Sequence, residues 1–188
     1  KLKGSKVKKE AQTIYGATEW TLKNGVKVVV LPTQHKKDQV LFNLEWEGGK
    51  TLIATEDMPS FEDNIWALFL NNSGISKFPN TTLSKMLAGK QVSISPNIGG
   101  TTHSISGQST PKDLETMMQL LYANIVKPRN DKAGFDVAKE MIKGVLKNQV
   151  NTPNYVFQDS LARFIFSNNP KAEILGMEVI DKMNYERT

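Results

Sequence analysis

The apolar positions of this chain change their period three times. Glu19-Trp20-Thr21-Leu22 predicts a short strand. Lys23-Asn24-Gly25 predicts a tight turn, since Asn-Gly supplies the positive φ values a hairpin needs. Val26 to Leu31 is β-branched and ends at Pro32, and the polar stretch Thr33 to Asp38 forms the next turn. Val40, Phe42, Leu44 and Trp46 then alternate with Leu41, Asn43, Glu45 and Glu47, the period of two of a strand with one buried face. After a loop over 50–63, the spacing predicts a helix from about Ser60 to Asn72, with Ile65, Trp66, Leu68 and Phe69 on its apolar side and Gly74 as terminator. A second helix, from about Asn80 to Ala88, turns Leu83, Met86 and Leu87 inward. Gln91 to Pro96 and Thr101 to Gly107 read as paired strands.

The last third is helical. Thr110-Pro111-Lys112-Asp113 provides an N-cap, a first-turn proline and an acid, and Leu114, Met117, Met118, Leu121 and Ile125 follow at helical spacing. Lys127-Pro128-Arg129-Asn130 breaks that helix. The next carries Phe135, Ala138, Met141, Ile142, Val145 and Leu146 on one side. Thr152-Pro153 starts another with Val156, Phe157, Leu161, Phe164 and Ile165, and a final helix runs from about Met177 to Met183. The order is an α+β pattern rather than a βαβ series: a mainly antiparallel sheet with helices packed on one face.

Composition changes this picture little. The chain has 188 residues and no cysteine, which excludes disulfides, thiol catalysis and thiolate metal sites. The net charge is +5, but five lysines against Glu10 place +4 of it in residues 1–10, leaving +1 for the other 178. Arginine occurs only at Arg129, Arg163 and Arg187, so a nucleic-acid partner is not expected. The longest apolar run, Ile65 to Leu70, is far short of the roughly 20 residues a membrane span needs.

Familiar catalytic patterns are missing. His35 lies in a polar turn and His103 in an alternating strand, and neither belongs to an H-x-x-E-H or H-E-x-x-H pair. Ser104 and Ser106 flank His103 only as sequence neighbours, which does not make a triad. Gly49-Lys50-Thr51 resembles the end of a phosphate loop, but the first glycine that motif requires is Leu44. Glu45 and Glu47 share the solvent face of their strand.

Several segments together resemble the insulinase/pitrilysin-type zinc metallopeptidases. The stretch Thr18 to Val30, with Leu22-Lys23-Asn24-Gly25 before a hydrophobic strand, is similar to the family's opening. Ser73-Gly74 followed by Leu83 to Lys90 is similar to the helix pair after its metal-binding helix. Gly107 to Leu121 and Lys127-Pro128-Arg129 resemble the third of the four homologous domains of the large bacterial members. The resemblance implies a mitochondrial-processing-peptidase-like metallohydrolase fold over residues 15–188 as one domain, short of its final strand. Residues 1–14 are then a basic linker or disordered lead-in.

In that family H-x-x-E-H holds zinc on the first helix. Counting back from Gly74, the motif falls on Ile65, Leu68 and Phe69, all apolar here. The downstream ligand falls within 138–143, where Glu140 stands without two histidines to join. The resemblance therefore implies a non-catalytic domain with no catalytic, metal or cofactor residues, zinc belonging to the catalytic half of a longer parent. Its partners would be other domains of the same polypeptide and the parent's peptide or unfolded-protein substrate, in the periplasm or cell envelope. The alternative is an interaction or scaffold module of the same fold without a peptidase partner.

Overall fold

The computed structural model describes residues 4–187, setting aside the side chains at 63, 64 and 71; Lys1 and Lys3 of the basic stretch lie outside the described residues. The chain divides at Asp38/Gln39 into two units.

The first unit is an antiparallel sheet of β1 (Val7–Gln12), β2 (Thr18–Leu22) and β3 (Lys27–Val30), in the order β1-β2-β3. The Asn-Gly turn forms as its chemistry requires: Gly25 has φ +88°, its N–H donates to Leu22 O at 3.0 Å, and Asn24 Oδ1 accepts from Val26 N at 3.3 Å. Thr13 Oγ1 accepts from Ala17 N at 3.1 Å and closes the β1–β2 turn. Trp20 Nε1 donates to Glu10 Oε2 at 2.9 Å across the pair. One expectation changes here. Residues 7–12 are a paired strand rather than a linker or disordered lead-in, because their backbone groups are used by β2. Residues 15–38 lie in the same unit as that strand.

The second unit carries β4 (Val40–Glu47), β5 (Val92–Ile98) and β6 (Thr102–Ser109), antiparallel in the order β4-β6-β5. Leu44 faces Ile105, and Phe42 and Ile94 flank Gly107. This face meets α3 (Leu114–Val126) through fully buried Met117. A Cβ at Gly107 would stand 3.1 Å from Met117 Sδ, so glycine lets the helix close on the sheet. The opposite face is mostly polar: Asn43, Glu45, Ser93, Ser95, Ser106 and Gln108 are exposed, with Leu41 beside Gln108 its apolar exception. The cap before α3 forms, Thr110 Oγ1 accepting from Asp113 N at 3.2 Å.

The main core lies among the helices. α1 (Ile65–Ser73), α4 (Lys132–Gln149) and α6 (Met177–Lys182) bring together Ile65, Phe69, Phe135, Ala138, Ile142, Leu146, Ile180 and Met183. Each large side chain buried there contributes about 1.5–3 kcal/mol. α2 (Asn80–Met86) and α5 (Pro153–Ile165) complete the set.

Three expectations are corrected. The α-helix placed at Ser60–Asn72 begins only at Ile65. Residues 55–64 wind as a 3-10 helix containing Pro59, and Asn184 N donates to Ser60 Oγ at 3.2 Å, so a distant contact fixes this segment. Met86, Met118, Met141 and Val145, expected inward, are exposed. On α4 the stripe Phe135, Ala138, Ile142, Leu146 takes the core, and Met141 and Val145 lie about 105° and 65° round the helix from its centre. The apolar side of α5 is exposed throughout. Among the described residues no helix is long and apolar enough to cross a membrane.

Candidate functional site

The helix pair α1–α4 is where the sequence places its candidate positions. α1 follows from the run Ile65 to Leu70 and stops at Gly74, whose φ of +84° ends the helix. A Cβ at Gly74 would overlap the Phe78 carbonyl oxygen, so only glycine fits this turn. α4 starts at Asp131: its Oδ1 accepts from Ala133 N at 3.1 Å and Gly134 N at 3.3 Å, two of the donors a helix start leaves unpaired. Arg129 Nε and Nη2 donate to the other oxygen, Oδ2, at 3.2 and 3.0 Å. The Arg129 guanidinium first, then the Gly134 N–H, holds the Asp131 carboxyl below the usual carboxylate range.

The three motif positions do not converge on one site. Ile65 and Phe69 point into the core, the Phe69 ring 4.4 Å from that of Phe135. Leu68, on the far side of α1, is 47% exposed. Glu140 lies on the solvent side of α4, its carboxylate 3.9 Å from Lys143 Nζ. Ile65, Leu68 and Phe69 carry no nitrogen or oxygen that could ligate a metal, and Glu140 faces away from the side of α4 that α1 covers. These positions therefore do not fit the zinc that the fold resemblance implies. Among the described residues no group of three His, Asp or Glu is placed to hold a metal.

What does form beside α1 is a cavity of about 290 Å³. Phe61, Trp66, Phe69, Phe135 and Tyr185 give it aromatic walls, and the Arg129–Asp131 pair stands at its polar side. Trp66 is buried, and its indole N–H has no acceptor among the described residues. Such a cavity can take an apolar group. Ser73 and Asp131 both line it, and no hydrogen bond joins them among the described residues.

His103 has a different task from a ligand's. Its Nε2 accepts from Gly49 N at 3.1 Å, and its ring lies 5.5 Å from Trp46. A Cβ at Gly48 would overlap the imidazole. The histidine thus clamps the chain where β4 ends. His35 is exposed in the first unit. Sequence reasoning did not find the Asp131 cap, although an acid just ahead of the periodic run Phe135–Leu146 is a readable signal. The His103–Gly49 bond spans 54 positions and has no local signal beyond the paired glycines.

No family model matches the chain, and no curated protein matches it. Solved structures do. The periplasmic protease PqqL from Escherichia coli aligns over 97% of this chain and 20% of its own, with TM-score 0.77 and 14% identity. A mutant of the ferredoxin protease FusC, in complex with Arabidopsis ferredoxin, aligns over 99% of this chain and 20% of its own, with TM-score 0.74 and 16% identity. Pitrilysin aligns over 93% of this chain and 18% of its own, with TM-score 0.60 and 15% identity. At these identities the likeness is one of fold: the chain has the α+β architecture of a pitrilysin-like protease domain and spans about a fifth of the length of these proteases.

Proposed function

We propose that this chain is a non-catalytic structural domain of a larger zinc metalloendopeptidase, third of four homologous domains, which helps enclose a peptide substrate. One observation carries the reading. A fold found as part of longer protease chains has isoleucine, leucine and phenylalanine at the three zinc-motif positions. Two of those side chains pack in the core, so α1 serves here to hold α4 rather than to hold a metal. On this reading zinc and the catalytic acid–base chemistry belong to another domain, and this one packs against its sister domains and excludes water around the substrate. The periplasmic location of PqqL favours the periplasm or cell envelope for the parent.

The test is zinc binding and peptide cleavage, measured for this chain and for the complete polypeptide that carries it. The expected result is zinc-dependent cleavage of an unstructured peptide by the complete polypeptide, and neither cleavage nor tight one-to-one zinc binding by residues 1–188. Cleavage or stoichiometric zinc binding by this chain alone overturns the non-catalytic assignment. A complete polypeptide without an H-x-x-E-H motif makes the scaffold reading the better one.

A further inference from the structure

A helix of about 13 residues is marginal alone in water, and in proteins it is held by packing its apolar face. α5 is oriented the other way round. Its half-buried positions are Tyr155, Asp159 and Ala162. Tyr155 Oη donates to Leu175 O at 3.0 Å, and Arg163 Nε donates to Asp159 Oδ2 at 2.9 Å. On the outward side stand Val156, Phe157, Leu161, Phe164 and Ile165, 52, 61, 38, 85 and 59% exposed. At 100° per residue they cover about half the circumference, with Ser160 among them and no charge.

The size of this surface is informative. At roughly 150–250 Å² for a large side chain, these fractions amount to about 600 Å² of apolar area. That reaches the top of the range for the largest patch on an ordinary monomer, about 300–600 Å². It is most of the ~800 Å² that each partner contributes to a stable interface. Charge narrows the choice of partner. The two charged residues of α5, Asp159 and Arg163, pair with each other, so the helix offers no spare cation to an anionic membrane. The arc itself would repel neither an apolar side chain nor a backbone already hydrogen-bonded.

We infer that the outward face of α5 seats a further domain of the same polypeptide, one that presents an uncharged apolar surface. This rests on the reading proposed above, and on the fact that the PqqL and FusC chains, which contain this fold, are about five times its length. In this arrangement the polar side of α5 ties it to its own domain and its apolar side is the joint to the next.

Residues 1–188 contain no cysteine, and in the complete polypeptide any cysteine outside them is first replaced by serine. Ser160→Cys places one thiol in the middle of the arc with little change in shape. Its maleimide labelling rate is measured in residues 1–188 and in the complete polypeptide, each relative to the same protein in urea. The expected result is labelling within about threefold of the urea rate in the 188-residue chain, and labelling about 100-fold slower in the complete polypeptide. Phe164→Asp should restore fast labelling in the complete polypeptide while leaving the melting temperature of the 188-residue chain unchanged.

Fast labelling in the complete polypeptide overturns the inference, as does protection that already appears when residues 1–188 are extended only to the end of their own domain. So does protection of the 188-residue chain that grows with its concentration, which would make the occupant a second copy, or protection that appears only with phosphatidylglycerol vesicles. The labelling reports burial whether or not the polypeptide cleaves a peptide, so it stands or falls separately from the peptidase reading.

Discussion

α4 and α5 are successive amphipathic helices buried in opposite senses. α4 turns Phe135, Ala138, Ile142 and Leu146 into the core and leaves Glu140 and Lys147 to solvent. α5 turns Tyr155, Asp159 and Ala162 toward its own domain and leaves two phenylalanines, a valine, a leucine and an isoleucine outside. The difference teaches that a helical period shows an apolar face exists but not which body that face meets. The main apolar face of α4 answers to residues of this chain, although Val137, Met141 and Val145 beside it are exposed. α5 has an apolar face that this chain does not cover.

The largest expected effect lies at the centre of the α4 face. Phe135→Ala should cost about 3–5 kcal/mol in urea denaturation of the 188-residue chain, because it empties a site shared with Phe69 and Tyr185. A loss under about 1 kcal/mol would show that α4 is not the core helix described.

Next is the charge that starts α4. The Asp131 carboxyl is held below its usual range in the fold, so below the unfolded value, near pH 4, the unfolded chain binds more protons than the folded one. Its contribution is present above that pH and is lost as pH falls further. Asp131→Ala should lower the urea midpoint at pH 7 and flatten its fall between about pH 5 and 3. An unchanged acid limb would remove Asp131 from the account.

A smaller, local effect belongs to the cap of α5. Thr152 Oγ1 accepts from Tyr155 N at 3.3 Å, and Thr152→Ala removes a bond of the kind that supports a helix by about 0.5–2 kcal/mol. Because α5 packs little of itself away, amide exchange should quicken within α5 while the global urea midpoint stays put. A matching loss in both would make α5 an integral part of the cooperative unit. The smallest effect is Phe164→Ala, within about 0.5 kcal/mol in the 188-residue chain, since a side chain 85% exposed has little burial to lose.

The strands and caps were readable because their signals are local. The alternation of Val40, Phe42 and Leu44, the Asn24-Gly25 turn and the Thr110-Pro111 cap each act within a few residues and formed as read, while Trp46, read on the same face as Leu44, is exposed. The 3-10 segment over 55–64 was not readable, because its anchor, the Ser60–Asn184 bond, spans 124 positions. The division at Asp38 was hidden too, since β1 reads as a charged stretch until β2 lies beside it. At the candidate site, the positions counted back from Gly74 read directly as Ile65, Leu68 and Phe69. That two of them sit against Phe135 and Ile142 while Leu68 faces outward required the α1–α4 packing. The inverted seating of α5 could not be read at all, because its sequence is that of an ordinary core helix.

The strand order β4-β6-β5 also sets a sequence of events in time. β5 and β6 close a short hairpin, Ile98 meeting His103 across a few residues. β4 must reach the same central strand with Glu47 opposite Thr102, across a loop that contains α1 and α2. Loop-closure entropy makes that second pairing costlier by about 2 kcal/mol. The hairpin should therefore be the early, fast species in refolding, and α1 should acquire its native place only when the β4–β6 pairing draws the loop shut. Slowing that step would delay the helix at the candidate site without touching any residue in it.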